Sequence, residues 1–91
     1  MRVARRFVIK GRVQGVGFRF FTQDAARREG ATGWVRNLPD GSVEALVEGE
    51  AEAVTRIERA IRSGPRGARV DRVYVDATEP DGTHDSFAIV R

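Results

Sequence analysis

Gly11-Arg12-Val13-Gln14-Gly15-Val16-Gly17-Phe18-Arg19, running on into Phe20-Phe21-Thr22-Gln23-Asp24, is the stretch whose reading decides the fold. An apolar strand enters two closely spaced glycines and leaves as a helix, with an arginine at the joint. Gly15 and Gly17 can adopt φ > 0, and without a Cβ they let another group approach the main chain. Successive N–H groups in such a turn can converge on one point as an anion-binding nest. The helix behind it adds unpaired N–H groups and a partial positive charge. Arg19 supplies a planar fork of donors that matches phosphate oxygens. Together these features describe a cradle for a small, doubly charged phosphate.

Two neighbouring readings fit less well. A dinucleotide fingerprint needs a third glycine where Phe20 stands, within a long doubly wound sheet. An RNA-recognition strand would hold its aromatics open on a sheet face, whereas Phe18, Phe21 and Ala25 fall at helical spacing and read as core.

Upstream, residues 3–13 form a strand with Phe7, Ile9, Gly11 and Val13 on one face. Downstream, a helix is expected over about 20–29, with Phe18, Phe21, Thr22 and Ala25 inward and Gly30 stopping it. Residues 31–37 read as a second strand. Leu38-Pro39-Asp40-Gly41 has the pattern of a tight turn, and residues 42–48 return as the other half of a hairpin. A second helix spans about 50–63, with Val54, Ile57, Ala60 and Ile61 inward. Its acids sit at the N-terminal end and its arginines near the C-terminal end, as the helix dipole favours. Strands over 70–76 and 86–90 complete the chain.

The order β-α-β-β-α-β with a short terminal strand is the split βαβ, or ferredoxin-like, α+β arrangement. It places two helices on one face of an antiparallel sheet. In that topology the first two strands are parallel with the third between them, so their carboxyl ends share one edge. The glycine loop and Asn37 therefore meet there, together with residues 64–69 and the C-terminus. The loop holding His84 falls at the opposite edge.

Composition narrows the chemistry. Ninety-one residues make one domain over 1–91 that can bury its own core. No cysteine is present, which removes disulfides, thiolate metal sites and cysteine nucleophiles. The N-terminus lacks a secretory apolar run and no segment is long enough to span a bilayer, so a cytoplasmic protein is expected. The net charge of +3 is modest, and basic residues are interleaved with acids along the chain. That pattern suits a solvated surface that gathers small anions rather than a nucleic-acid stripe.

Asn37 is the only asparagine. Asparagine often opens turns, but its location beside the glycine loop suggests a second use. An amide holds a water with one donor and one acceptor. A site of Arg19, backbone N–H groups and an amide has no metal cluster, no histidine and no obvious nucleophile. A phosphate monoester would need its alkoxide protonated or metal-bound. An acyl phosphate leaves as a carboxylate with a pKa near ~4, without general-acid help. Neutralising the phosphoryl oxygens and aiming one water in line is then sufficient chemistry. His84 is expected to be simply exposed, Asp24 to pair with Arg28 on the helix surface, and Trp34 and Tyr74 to pack against the sheet.

Two segments resemble the acylphosphatases. Ile9 to Arg19 is similar to that family's first signature; Gly33-Trp34-Val35-Arg36-Asn37, with Gly41, Val43 and Gly49, is similar to its second. The resemblance extends through Ala68-Arg69-Val70-Asp71-Arg72 to Phe87-Ala88-Ile89. It implies a ferredoxin-like fold and metal-free, cofactor-free hydrolysis of acyl phosphates to a carboxylate and inorganic phosphate. Arg19 matches the family's phosphate-binding arginine and Asn37 the asparagine that orients the attacking water. Gln14, Gly15, Val16, Gly17 and Phe18 match its phosphate loop. A monomer with a small-molecule substrate, and no nucleic-acid or membrane partner, is expected. The competing class is a ferredoxin-like module that holds phosphate or a nucleic acid without turnover.

Overall fold

The computed structural model describes all residues, Met1–Arg91. Seven elements follow the chain: β1 (Arg2–Arg12), α1 (Phe18–Arg28), β2 (Thr32–Asn37), β3 (Val43–Glu50), α2 (Ala51–Ser63), β4 (Arg69–Thr78) and β5 (Phe87–Ile89). The strands form one sheet in the order β4-β1-β3-β2-β5. β3 lies antiparallel to both β1 and β2, which makes those two parallel to each other. β5 pairs parallel with β2, so the sheet is mixed rather than wholly antiparallel. α1 packs over β2 and β5, while α2 covers β1, β3 and part of β4.

Period-two alternation builds the helix-facing side of the sheet. Phe7 and Ile9 of β1, Val35 of β2, Val43, Ala45 and Val47 of β3 and Phe87 of β5 are fully buried there. α1 contributes Phe18 and Ala26, and α2 contributes Val54, Ile57 and Ile61, completing one continuous core. Each large apolar side chain removed from water contributes roughly 1.5–3 kcal/mol. Thr22, also buried, satisfies its hydroxyl by donating to the Phe18 carbonyl at 2.9 Å.

The other face of the sheet is open and held by charge. Glu44 of β3 accepts from Arg36 of β2 at 2.7 Å and from Arg6 of β1. Burial opposes the charge on Glu44, but the two guanidiniums outweigh it and keep its carboxyl below the usual range. At the far end, Glu48 accepts from Arg2 and from the N–H groups of Asp81 and Gly82, which fastens the β4–β5 loop.

Several expectations shift by a residue or two. α1 starts at Phe18 rather than near 20, because Gly17 in the left-handed region (φ 78°, ψ 21°) serves as its N-cap. Gly11 is exposed rather than inward, since β1 bulges against β4 between Lys10 and Gly11. Phe21 is only half-buried, set edge-on to Phe18 with ring centroids 6.0 Å apart. On α2 the fourth buried position is Ala53, and Ala60 is half-buried. Trp34 is half-buried under the Arg36 guanidinium, 5.2 Å from its ring. Tyr74, on the open face of an edge strand, stays 46% exposed.

The β2–β3 turn is pinned by Asp40. Its carboxylate accepts from the Ser42 N–H at 2.9 Å and from the Ser42 hydroxyl, and Lys10 reaches it at 3.1 Å. The Ser42 hydroxyl first, then the Ser42 N–H and the Lys10 ammonium, hold its carboxyl at about 2, against an ordinary 3.8. A depressed folded pKa contributes stability that is fully present above the unfolded value and lost as pH falls through the folded one. The melting temperature of wild type should therefore exceed that of Asp40→Asn at pH 7, and the gap should close between about pH 4 and pH 2. A gap independent of pH would mean the carboxylate charge is not what pins the turn.

Close packing also makes Gly33 irreplaceable. With φ 133°, a Cβ there would stand 1.9 Å from the Leu46 carbonyl oxygen of the paired strand. Gly33→Ala should cost about 2–3 kcal/mol, from backbone strain plus displacement of β3. Urea denaturation of the variant checks this.

Candidate functional site

The chain leaves β1 on one half of the sheet and must reach α1 on the other. Residues 13–17 make this passage across the end of the β2–β3 hairpin. Val13 anchors its start in the core, and Val16 packs partly against the core midway. The Gln14 amide fastens it from above, with Nε2 donating to the Leu38 carbonyl at 2.8 Å and to the Ser42 carbonyl at 2.9 Å. The glycine loop is thereby tied to the residues immediately after Asn37.

The loop's main-chain donors are free. No backbone N–H from Gln14 to Phe20 donates to any acceptor within the protein; the first helical bond is Phe21 N–H to the Gly17 carbonyl at 3.0 Å. Part of this is general, because every helix leaves its first N–H groups unpaired. Here the run begins well before the helix, and glycine at the N-cap offers no side chain to satisfy any of it. Gly15 (φ 75°) and Gly17 (φ 78°) both lie in the left-handed region that bends such a run into a concave turn. An added Cβ at either would meet open space, so the demand for glycine is conformational.

Arg19 sits in the first turn of α1, half-buried, and forms neither an ion pair nor a hydrogen bond within the protein. On the sheet, by contrast, Arg2, Arg6, Lys10 and Arg36 are each matched to a carboxylate. Asn37 ends β2 opposite Val43, which is fully buried on the helix side. Alternation from Gly33 and Val35 sets Asn37 on that same side, under the end of α1 where Arg19 begins. Its side-chain amide has no protein partner either. An unpaired guanidinium, an unpaired amide and a run of unpaired N–H groups thus share one edge.

The remaining candidates go elsewhere. Asp24 pairs with Arg28 at 3.2 Å on the helix surface. His84 is half-buried, not open, in the β4–β5 loop that Glu48 fastens at the opposite edge. No group of three or more His, Asp or Glu side chains gathers as metal ligands, and no helix is long and apolar enough to cross a membrane. The two surface clefts, about 360 and 180 Å³, lie on the helical layer around Arg56 and do not include the glycine loop. The glycine-loop edge is a surface turn, suited to a small ion rather than to an engulfed ligand. The Gln14 tether is the feature that sequence reading misses: its side chain fastens the loop and is occupied in doing so.

Comparison with known proteins agrees with this architecture. The family model for acylphosphatase matches residues 5–89. An acylphosphatase of Anaeromyxobacter dehalogenans is 53% identical over 88 residues, covering 97% of this chain and 95% of that protein. One from Methanothrix thermoacetophila is 43% identical over 90 residues, covering 99% of each. The crystal structure of the Bacillus subtilis acylphosphatase superposes with a TM-score of 0.94 at 37% identity, covering 98% of this chain and 99% of that one. Matched end to end in sequence and in fold, this chain belongs to the acylphosphatase family of enzymes.

Proposed function

We propose that the protein hydrolyses acyl phosphates at the glycine-loop edge, with Arg19 and the N–H groups of residues 14–19 holding the phosphoryl group and Asn37 orienting the water. The observation that carries this reading is the unbroken run of unpaired main-chain donors beside an unpaired arginine. Such donors need no reorganisation when an anion arrives, so they stabilise charge on the equatorial oxygens of an in-line transfer.

The chemistry balances without an added base. Water attacks phosphorus, and the bond from phosphorus to the acyl oxygen breaks. The electron pair leaves with a carboxylate whose conjugate acid has a pKa near ~4. A substrate dianion and water become a carboxylate and dihydrogen phosphate, both of the water's protons ending on the phosphate product. The protein's part is positioning and electrostatics. Gln14 contributes by fastening the loop to the hairpin that carries Asn37. The substrate is a small molecule, and the domain works in this scheme without a cofactor or partner.

A spectrophotometric assay with benzoyl phosphate, with and without chelator, tests the reading. Turnover insensitive to chelator is expected; phosphate binding with no turnover would leave only a binding module.

Arg19→Lys should lower kcat/KM by about 10²-fold at unchanged melting temperature, since an ammonium keeps the charge but not the two-pronged geometry. Near-normal turnover in this variant would remove Arg19 from the centre of the mechanism. For Asn37→Ala, kcat should fall by about 10²-fold or more while the phosphate inhibition constant changes little, as for loss of one aimed donor. If the amide serves only the hairpin, melting temperature drops and kcat of the folded fraction holds.

A further inference from the structure

Phe20 is 67% exposed, more than any other large apolar side chain apart from the N-terminal methionine. A solitary exposed apolar residue is unremarkable on a protein surface, so its position has to carry the argument. Phe20 directly follows Arg19 in the first turn of α1, and consecutive helical side chains diverge by about 100°. Its ring therefore stands beside the guanidinium without occupying the same space.

Helix geometry and two observed contacts indicate the side of the molecule on which that ring stands. Helical side chains lean toward the helix N-terminus, so Phe20 covers the turn before its own Cα, which here is the Val16–Gly17 end of the loop. Gln23, one turn further along and on the same side of α1, donates to the Phe87 carbonyl of β5 at 3.2 Å. α1 runs away from the functional edge and β5 runs toward it, which sets Phe20 level with the end of β5. There Ile89, half-buried, pairs with Val35, two residues before Asn37. An apolar shelf of Phe20 and Ile89 thus borders the edge where Arg19 and Asn37 meet.

Resting on the acyl phosphate reading above, we infer that Phe20 contacts the acyl group of the substrate and selects for an aromatic or extended apolar acyl chain over a short one. The phosphoryl end needs fixed donors and the acyl end needs none, since a carboxylate leaves unaided. An apolar surface beside the anion cradle adds affinity in proportion to the acyl area it covers. A benzoyl group offers a ring face for an edge or offset contact with Phe20, whereas an acetyl group is too short to cover it.

The test compares KM and kcat for benzoyl phosphate and acetyl phosphate in wild type, Phe20→Ala and Phe20→Leu, with the inhibition constant of inorganic phosphate measured alongside. In Phe20→Ala, KM for benzoyl phosphate should rise about fivefold, the effect of losing roughly 40 Å² of apolar contact. KM for acetyl phosphate and the phosphate inhibition constant should stay within about twofold of wild type, and Phe20→Leu should recover part of the loss. An equal change for both substrates, or none for benzoyl phosphate, would overturn the assignment. Failure of wild type to turn over either substrate would instead overturn the hydrolytic reading, and this inference with it.

Discussion

The position of β3, antiparallel between β1 and β2, is the constraint on which the rest of the molecule depends. Because β1 and β2 both run against β3, they run with each other, and their carboxyl ends arrive at one edge. The chain must then cross from β1 to α1 over that edge, and the crossing is the glycine loop. A one-residue slip in the β2–β3 register would turn Asn37 to the open face. The buried Val35 opposes it, because such a slip would turn its side chain out of the core and set β2's polar positions against the helices. The hydrophobic pattern of the sheet is in this sense what aims the amide.

Local chemistry at the edge follows a similar economy. Residues 14–20 leave their N–H groups without a protein acceptor, which is tolerable in a surface turn, where water can satisfy them. A buried run of this kind would be costly, and a run capped by side chains would be useless for an incoming anion. Rigidity has to come from elsewhere. Val13 and Phe18 grip the core at the two ends of the loop, and the Gln14 amide bonds across to the hairpin. The donors are held still by side chains, not by main-chain bonds of the turn, as the proposed electrostatic site requires.

Most of this architecture was legible from the chain because its local signals agree with its topology. Alternation marked β1 and the hairpin strands, helical spacing marked α1 and α2, and Pro39 with Gly41 marked the turn. The order of elements by itself puts the end of β2 and the glycine loop at one edge of the sheet. The misses have particular causes. α1 begins two residues early because a glycine, which ordinarily breaks helices, acts here as a left-handed cap. Gly11 is exposed because the mismatch between β1 and β4 is a property of the pair and is written in neither strand alone. The Gln14 bonds escaped for the same reason: the accepting carbonyls lie 24 and 28 residues away, and a backbone oxygen carries no residue-specific signal. Tyr74 reads as a packing residue by type but belongs to a face with no second layer.

β4 makes the sheet's outer boundary on one side: ten residues long and paired on one flank only. Its free flank is a ladder of main-chain donors and acceptors that could template an additional strand from another molecule. The strand spends four of its ten positions on charge: Arg69, Asp71, Arg72 and Asp76. Any incoming strand would have to strip water from these groups and break the 2.9 Å pair between Arg69 and Asp71. The same strand whose Val70 and Val73 help close the core thus carries its own guard against edge-to-edge aggregation, and a small enzyme with so much of its backbone in a sheet needs one.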